Sequence, residues 1–136
     1  MSDTTKVLLG VQKALARTGA PCVITRKTTT RDPANPTKPT VTVSTYNVQG
    51  FIYPKVQYEP VSASMITRTM FIPDLLSVED AAAPGVKLNS LSAISWYSKV
   101  GDELTATDGR RFKLLENEQP QLVGATVACL HQATIL

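Results

Sequence analysis

Val100-Gly-Asp-Glu-Leu-Thr-Ala-Thr-Asp-Gly-Arg-Arg-Phe-Lys-Leu-Leu115 is the stretch whose reading decides the fold. Asp108-Gly109 marks a hairpin turn between two runs that alternate apolar and polar side chains. A two-residue turn would pair Thr105 with Phe112 and Leu104 with Lys113, mixing the faces. A three-residue loop with Gly109 left-handed in a bulge instead pairs Ala106 with Arg110, Leu104 with Phe112 and Asp102 with Leu114. That register gathers Leu104 and Phe112 on one face, and a one-residue slip would undo it, so it is the predicted one. Asp102, just after Gly101, reads as a turn residue bonding its own backbone. Glu103 beside it points to the opposite face, so the two carboxylates cannot share a site.

Downstream, Thr126-Val-Ala-Cys-Leu-His-Gln-Ala-Thr-Ile135 reads as the last strand, entered through Gly124. Upstream, Val48–Tyr53 and Ser62–Ile72 are expected strands, separated by the segment from Pro54 to Pro60. Residues 73–85 read as an irregular connection with one helical turn at 77–83, and Leu91–Tyr97 as a strand or an extended segment. Cys22–Lys27 and Val41–Tyr46 are β-branched runs of period two. Between them, 28–39 holds three prolines and no apolar side chain larger than Ala34, so it is expected to be a long exposed loop. Connections of this length are commonly functional.

The N-terminal segment has a different period. Val7, Leu8, Val11 and Leu15 recur at helical spacing behind Ser2, Asp3 or Thr4 as cap, while Gly19 and Pro21 stop the run. A helix over 4–17 is too short to hold alone, so its apolar stripe must cover a sheet or a neighbouring subunit. The expected fold is therefore mainly β: a small β-barrel or sandwich of six to seven strands, one N-terminal helix and long loops. With 136 residues, it is read as a single domain over 1–136.

Composition bears on chemistry. The chain has one His and two Cys placed 107 positions apart, too few for the usual zinc sets. His131 lies on the last strand without companions at motif spacing and reads as a half-buried strand residue. Cys22 and Cys129 sit in apolar runs and read as small buried hydrophobes, though they would meet if the first and last strands paired. No GxGxxG, P-loop, HExxH or GxSxG occurs. The expectation is no enzyme, no metal and no cofactor. No apolar run approaches the roughly 20 residues of a membrane-spanning helix, and the N-terminus lacks signal-peptide features, so a cytosolic, non-membrane protein is expected.

Charge is uneven. Residues 1–70 carry nine basic and three acidic side chains, and residues 71–136 carry five and eight, giving net charges of +6 and −3. Opposite patches on one subunit favour head-to-tail association, which closes into rings when the rotation allows. Arg26, Lys27, Arg31 and Lys38 surround the 28–39 segment and could neutralise phosphates, but no aromatic residue alternates with them.

The helix, the Thr/Pro/Lys-rich 28–39 segment, Gly101-Asp102-x-Leu104, then Asp108-Gly109-Arg-Arg-Phe112-Lys-Leu, and a final apolar strand together resemble the head-closure (head–tail connector, stopper or adaptor) proteins of tailed bacteriophages. The sharp part of the resemblance is residues 100–115. It implies a β-barrel subunit repeated in a ring of six or twelve copies in the virion neck, assembled in the host cytoplasm. Portal or adaptor would lie above it, a tail or tail-terminator protein below, and the packaged DNA would be met non-specifically. The resemblance implies that 28–39 and 54–61 reach neighbouring rings or the channel and that the helix lies at a subunit contact. The candidate inter-subunit or channel-facing residues are Arg26, Lys27, Arg31, Lys38, Lys55 and Tyr58. Phage tail-terminator and minor tail proteins share this size and mix of elements. A reading of another class is an oligonucleotide-binding barrel using Arg26, Lys27, Phe51 and Tyr53.

Overall fold

A computed structural model describes residues 3–118, 121–122, 125–126 and 129–136. Among the described residues, one helix, α1 (Asp3–Thr18), precedes nine strands: β1 (Ala20–Asp32), β2 (Asn35–Glu59), β3 (Ser64–Pro73), β4 (Glu79–Asp80), β5 (Glu103–Thr105), β6 (Arg111–Glu118), β7 (Gln121–Leu122), β8 (Ala125–Thr126) and β9 (Leu130–Ile135). Seven of them form one antiparallel sheet in the order β1-β5-β6-β9-β3-β2-β4, and β1 also pairs with β2. The pairings therefore run in a ring, and the chain is mainly β with one N-terminal helix, as expected. β7 and β8 pair separately.

The hairpin that opened the sequence reading has the predicted register. Leu104 pairs with Phe112, Ala106 N–H donates to the Arg110 carbonyl at 2.8 Å, and Gly109 has φ +90°. Only glycine adopts that angle without a steric cost. Leu104, Phe112 and Leu114 are fully buried, together with Ile24, Phe71, Val78 and Cys129. These side chains belong to a single central cluster. Burying each large one is worth about 1.5–3 kcal/mol against leaving it in water.

β2 is the spine of the molecule. Its first part pairs with β1 from Asn35 to Gly50, and its last part pairs with β3 from Gly50 to Glu59. At the crossover, a Cβ on Gly50 would stand 2.4 Å from Phe71 Cε2. Glycine inside a strand here marks a close approach of backbone to a core ring. Gly50→Ala is accordingly expected to cost about 1–3 kcal/mol by overpacking, read as a drop in denaturation midpoint. Gly50→Ala with Phe71→Leu should recover part of it, and no recovery would show that the ring is not the obstacle.

α1 contacts β2. Its Leu8 and Leu15 are buried, while Val7 is exposed. Gly19 ends the helix by donating to the Leu15 carbonyl at 2.7 Å. It does so without a left-handed angle; a Cβ there would instead meet the Leu15 carbonyl at 2.6 Å and the Gly50 carbonyl at 2.9 Å.

Two expected loops are strands. Residues 28–39 do not form a long loop: β1 and β2 pair out to Thr30↔Thr40, with a last pair at Asp32↔Asn35. The prolines are tolerated because Pro36 and Pro39 fall in the register shift between those two pairs, and Pro33 lies in the turn. Residues 54–59 likewise pair with 64–69, leaving only a turn at 60–63. Two other expectations also change. Residues 77–83 hold turns and β4 instead of a helical turn; 91–92 form a turn closed by an isolated Ser90↔Ala93 bridge, and 94–97 have no strand pairing. The last strand, expected over 126–135, is β9 from Leu130; Thr126 belongs to β8, and residues 124, 127 and 128 lie outside the described residues.

Candidate interaction surface

β1–β2 and β2–β3 leave the ring-bonded body as two ribbons. Beyond Thr25 on β1 no third strand is paired, because β5 reaches only Val23–Thr25. Beyond Thr69 on β3 the same holds, because β9 reaches only Thr69–Phe71. Each ribbon therefore presents strand edges with backbone N–H and C=O groups available for pairing.

Alternation assigns the faces. On the first ribbon, the cross-strand pairs Lys27↔Val43 and Thr29↔Val41 share one side. Val41 and Val43 are exposed there. On the second, the face that carries Ile52 and Phe71 inside the body continues outward through Val56↔Thr67 and Tyr58↔Met65. Val56, Tyr58 and Met65 are all more than half exposed, and Val61 at the turn is 95% exposed. A core-facing apolar stripe thus runs on past the body that would bury it.

Five of the six candidate residues lie on these ribbons with exposed side chains: Lys27, Arg31 and Lys38 on the first, Lys55 and Tyr58 on the second. Lys27 has a loose ion pair with Glu103 at 3.8 Å, and at 60% exposure such a pair contributes little. Arg26 must be taken out of the set. Its Nε and Nη2 hold both Asp102 oxygens at 3.0 and 2.8 Å, and Nη2 also donates to the Tyr97 carbonyl at 3.0 Å. Its guanidinium lies 5.5 Å from the Tyr46 ring centroid and 5.2 Å from that of Trp96. Strand alternation turns Arg26 to the side of Ile24, and Asp102, 3% exposed, is waiting there. The Asp102 hydrogen bonds hold the guanidinium charged even above its ordinary range, outweighing the desolvation that works the other way. Asp102 also accepts from the Lys99 N–H at 2.9 Å, so it does the turn work expected of it as well.

His131 is fully buried rather than half-buried. Its Nε2 lies 2.6 Å from Ser98 Oγ and its Nδ1 3.3 Å from the Leu115 carbonyl. A carbonyl only accepts, so the Nδ1 contact needs a proton on Nδ1, and in a neutral ring Nε2 then accepts the serine hydrogen. A serine aimed at an imidazole nitrogen is the arrangement of an activated nucleophile, but here Ser98 and His131 are both 0% exposed. Neither side chain reaches solvent in this arrangement. Cys22 on β1 and Cys129 just before β9 are both free and buried, and β1 does not pair with β9. Burial pushes both thiols up to about 11, which keeps them protonated and unreactive near neutrality.

Among the described residues, no group of three or more His, Cys, Asp or Glu is placed to hold a metal ion. None of the described helices is long and apolar enough to cross a membrane.

The chain matches no family model, no curated protein and no solved structure. The fold and the placement of side chains are therefore the ground on which function is argued. Sequence reading missed Ser98 and Asn89 as organising residues. Asn89 donates to the Leu75 and Trp96 carbonyls and accepts from the Ser95 and Trp96 N–H groups, at 2.8–2.9 Å. An asparagine followed by Ser and later by Trp has no spacing that signals such a clamp.

Proposed function

We propose that this chain is a ring-forming structural protein of the neck of a tailed bacteriophage, of the head-closure or head–tail connector type. In that role it joins portal to tail and helps close the DNA channel. The observation that carries the reading is the pair of ribbons, each with unpaired strand edges and exposed apolar side chains, on a body of only 136 residues. Natural monomers blunt or cover such edges, because edges recruit strands from other chains. Val56, Tyr58, Val61 and Met65 likewise present an apolar stripe that an assembled neighbour would cover. The Gly101-Asp102-x-Leu104 and Asp108-Gly109 hairpin that carries the family resemblance supports the same reading. The tail-terminator ring is a variant of it, differing in the partner and not in the assembly.

The oligonucleotide-barrel reading is weaker on this geometry. Arg26 is committed to Asp102, and Phe51 and Tyr53 stack on each other at 5.4 Å and are partly buried.

The test is assembly. The full chain, followed by mass photometry with portal and tail proteins of the phage that carries it, should form a closed ring of six or twelve copies. A protein that stays monomeric with all of them present would overturn the proposal. Replacing residues 29–41 by a two-residue Asn-Gly turn should leave the melting temperature within a few degrees, since that part of the ribbon packs on nothing in the body. Ring formation should be lost. A truncated chain that assembles normally would remove the first ribbon from the interface.

A further inference from the structure

The outward face of the sheet carries a second feature, apart from the ribbon tips. Lys55 on β2 and Arg68 on β3 are direct cross-strand partners. Like charges placed opposite one another destabilise a strand pair, and an opposite-charge pair at the same place would support it. No carboxylate of the described residues forms an ion pair with either.

The same face continues across the sheet. Gln132 on β9 shares it, because Met70 pairs with Gln132, and Thr134 follows two residues on. Thr134 pairs with Lys113 on β6, and Lys113 with Glu103 on β5. With strands about 4.8 Å apart, Lys55, Arg68 and Lys113 fall within one row roughly 15 Å long, with a threonine hydroxyl between the second and third. Glu103 ends the row, already bonded to Arg111 at 2.9 Å.

Arg68 supplies the second, independent observation. Its Nη1 donates to Gln132 Oε1 at 2.8 Å, which fixes the side chain on this face. Its Nε is buried and has no hydrogen-bond acceptor. A guanidinium N–H held in place without an acceptor is costly unless something fills the gap, and guanidinium edges match oxyanions.

We propose that Lys55 and Arg68, flanked by Gln132, Thr134 and Lys113, form a binding site for a phosphate oxyanion. An anion there relieves the Lys55–Arg68 opposition; reaching Arg68 Nε requires the groups that cover it to move aside. The phosphate is either a free anion or one unit of a phosphodiester chain, and the row of cations favours a ligand with repeated phosphates. This inference does not depend on the ring proposal: the site lies on the sheet face of one subunit.

The experiment uses the full chain in two arms. In the first, melting is followed in sodium phosphate and in sodium chloride matched for ionic strength. Phosphate should raise the melting temperature by several degrees more than chloride, and Lys55→Gln and Arg68→Gln should each abolish the difference. Equal effects of the two salts, or a phosphate effect unchanged in both variants, would overturn the proposal. Arg68→Gln alters a half-buried residue, so Lys55→Gln, on an exposed one, keeps the test independent of folding. The second arm uses a single-stranded thymidine oligonucleotide. Binding at least roughly tenfold tighter than inorganic phosphate identifies a phosphodiester ligand, and the slope of log affinity against log salt should then fall by about one in Lys55→Gln. Oligonucleotide binding no tighter than free phosphate identifies the small anion.

Discussion

Arg26→Ala is expected to lower the unfolding free energy by about 3 kcal/mol, at the lower end of what breaking a buried ion pair costs. For a domain of this size that corresponds to a fall in melting temperature of roughly 10 °C. The reasoning starts from burial: the Arg26 side chain is 17% exposed and that of Asp102 only 3%. Removing the guanidinium leaves the Asp102 carboxylate in a nearly closed site with the Lys99 N–H as its remaining partner. It also removes the cation packed against both Tyr46 and Trp96, whose rings stand 5.1 Å apart. The partial exposure of Arg26 lets water screen the pair, which is why the lower end of the range applies.

Two further variants separate the contributions. Arg26→Lys keeps the charge but not the fork that grips both Asp102 oxygens, so it should recover less than half of the loss. Asp102→Asn keeps the shape and one acceptor, and in a double-mutant cycle with Arg26→Ala it should show coupling well above 0.5 kcal/mol. Coupling near zero would mean that the pair is incidental and that Arg26 is free to take part in an interface after all.

The same residue marks how far the sequence could be read. Arg26 sits in a basic run with Lys27, and nothing in that run distinguishes the two. Alternation sends one inward and the other outward, and the inward partner lies 76 positions away in sequence. What made Lys27, Arg31, Lys38 and Lys55 legible as surface cations was composition alone, which works for side chains that bond to nothing specific. The Lys55–Arg68 opposition depended on the register of β2 against β3, and that is set by the turn at 60–63, where Val61-Ser-Ala63 gives no standard turn signal. Ala63 is the one described non-glycine residue with positive φ, at 51°.

The elements divide in the same way. The 100–115 hairpin and the helix were legible because burial on one face writes a period into the side chains. The ribbons were not. Thr28, Thr29 and Thr30, with Thr40 and Thr42 across from them, are exposed on both faces. A strand pair that buries neither face leaves only backbone hydrogen bonds, which carry no hydrophobic pattern, and the prolines pointed to a loop. Residues 74–99 were illegible for a further reason. Their order comes from side chains that bond the backbone. Asp74 Oδ1 accepts from Leu76 N–H at 3.1 Å, Ser77 Oγ from Gln49 N–H at 2.9 Å, and Asn89 makes its four bonds. These residue types mark turns anywhere.

That dependence on one amide gives the second large effect. Asn89→Ala is expected to cost about 4 kcal/mol, because Asn89 is 5% exposed and its loss strands buried backbone groups of Leu75, Ser95 and Trp96 at once. Each such group left without a partner costs about 1–3 kcal/mol, and relaxation toward water recovers part of the total. Asn89→Asp should fare no better, since a carboxylate cannot donate to the two carbonyls and places a charge among them. The chain has a single tryptophan, Trp96, and it stands between Asn89 and Arg26, so its fluorescence reports the damage directly. In Asn89→Ala the emission should shift to the red well below the temperature at which far-ultraviolet circular dichroism shows the sheet melting. The double variant with Arg26→Ala should lose less than the sum of the two, because both changes release the same indole. A coincident transition with additive losses would show instead that 74–99 melts with the sheet as one unit and that the clamp and the ion pair stabilise it independently.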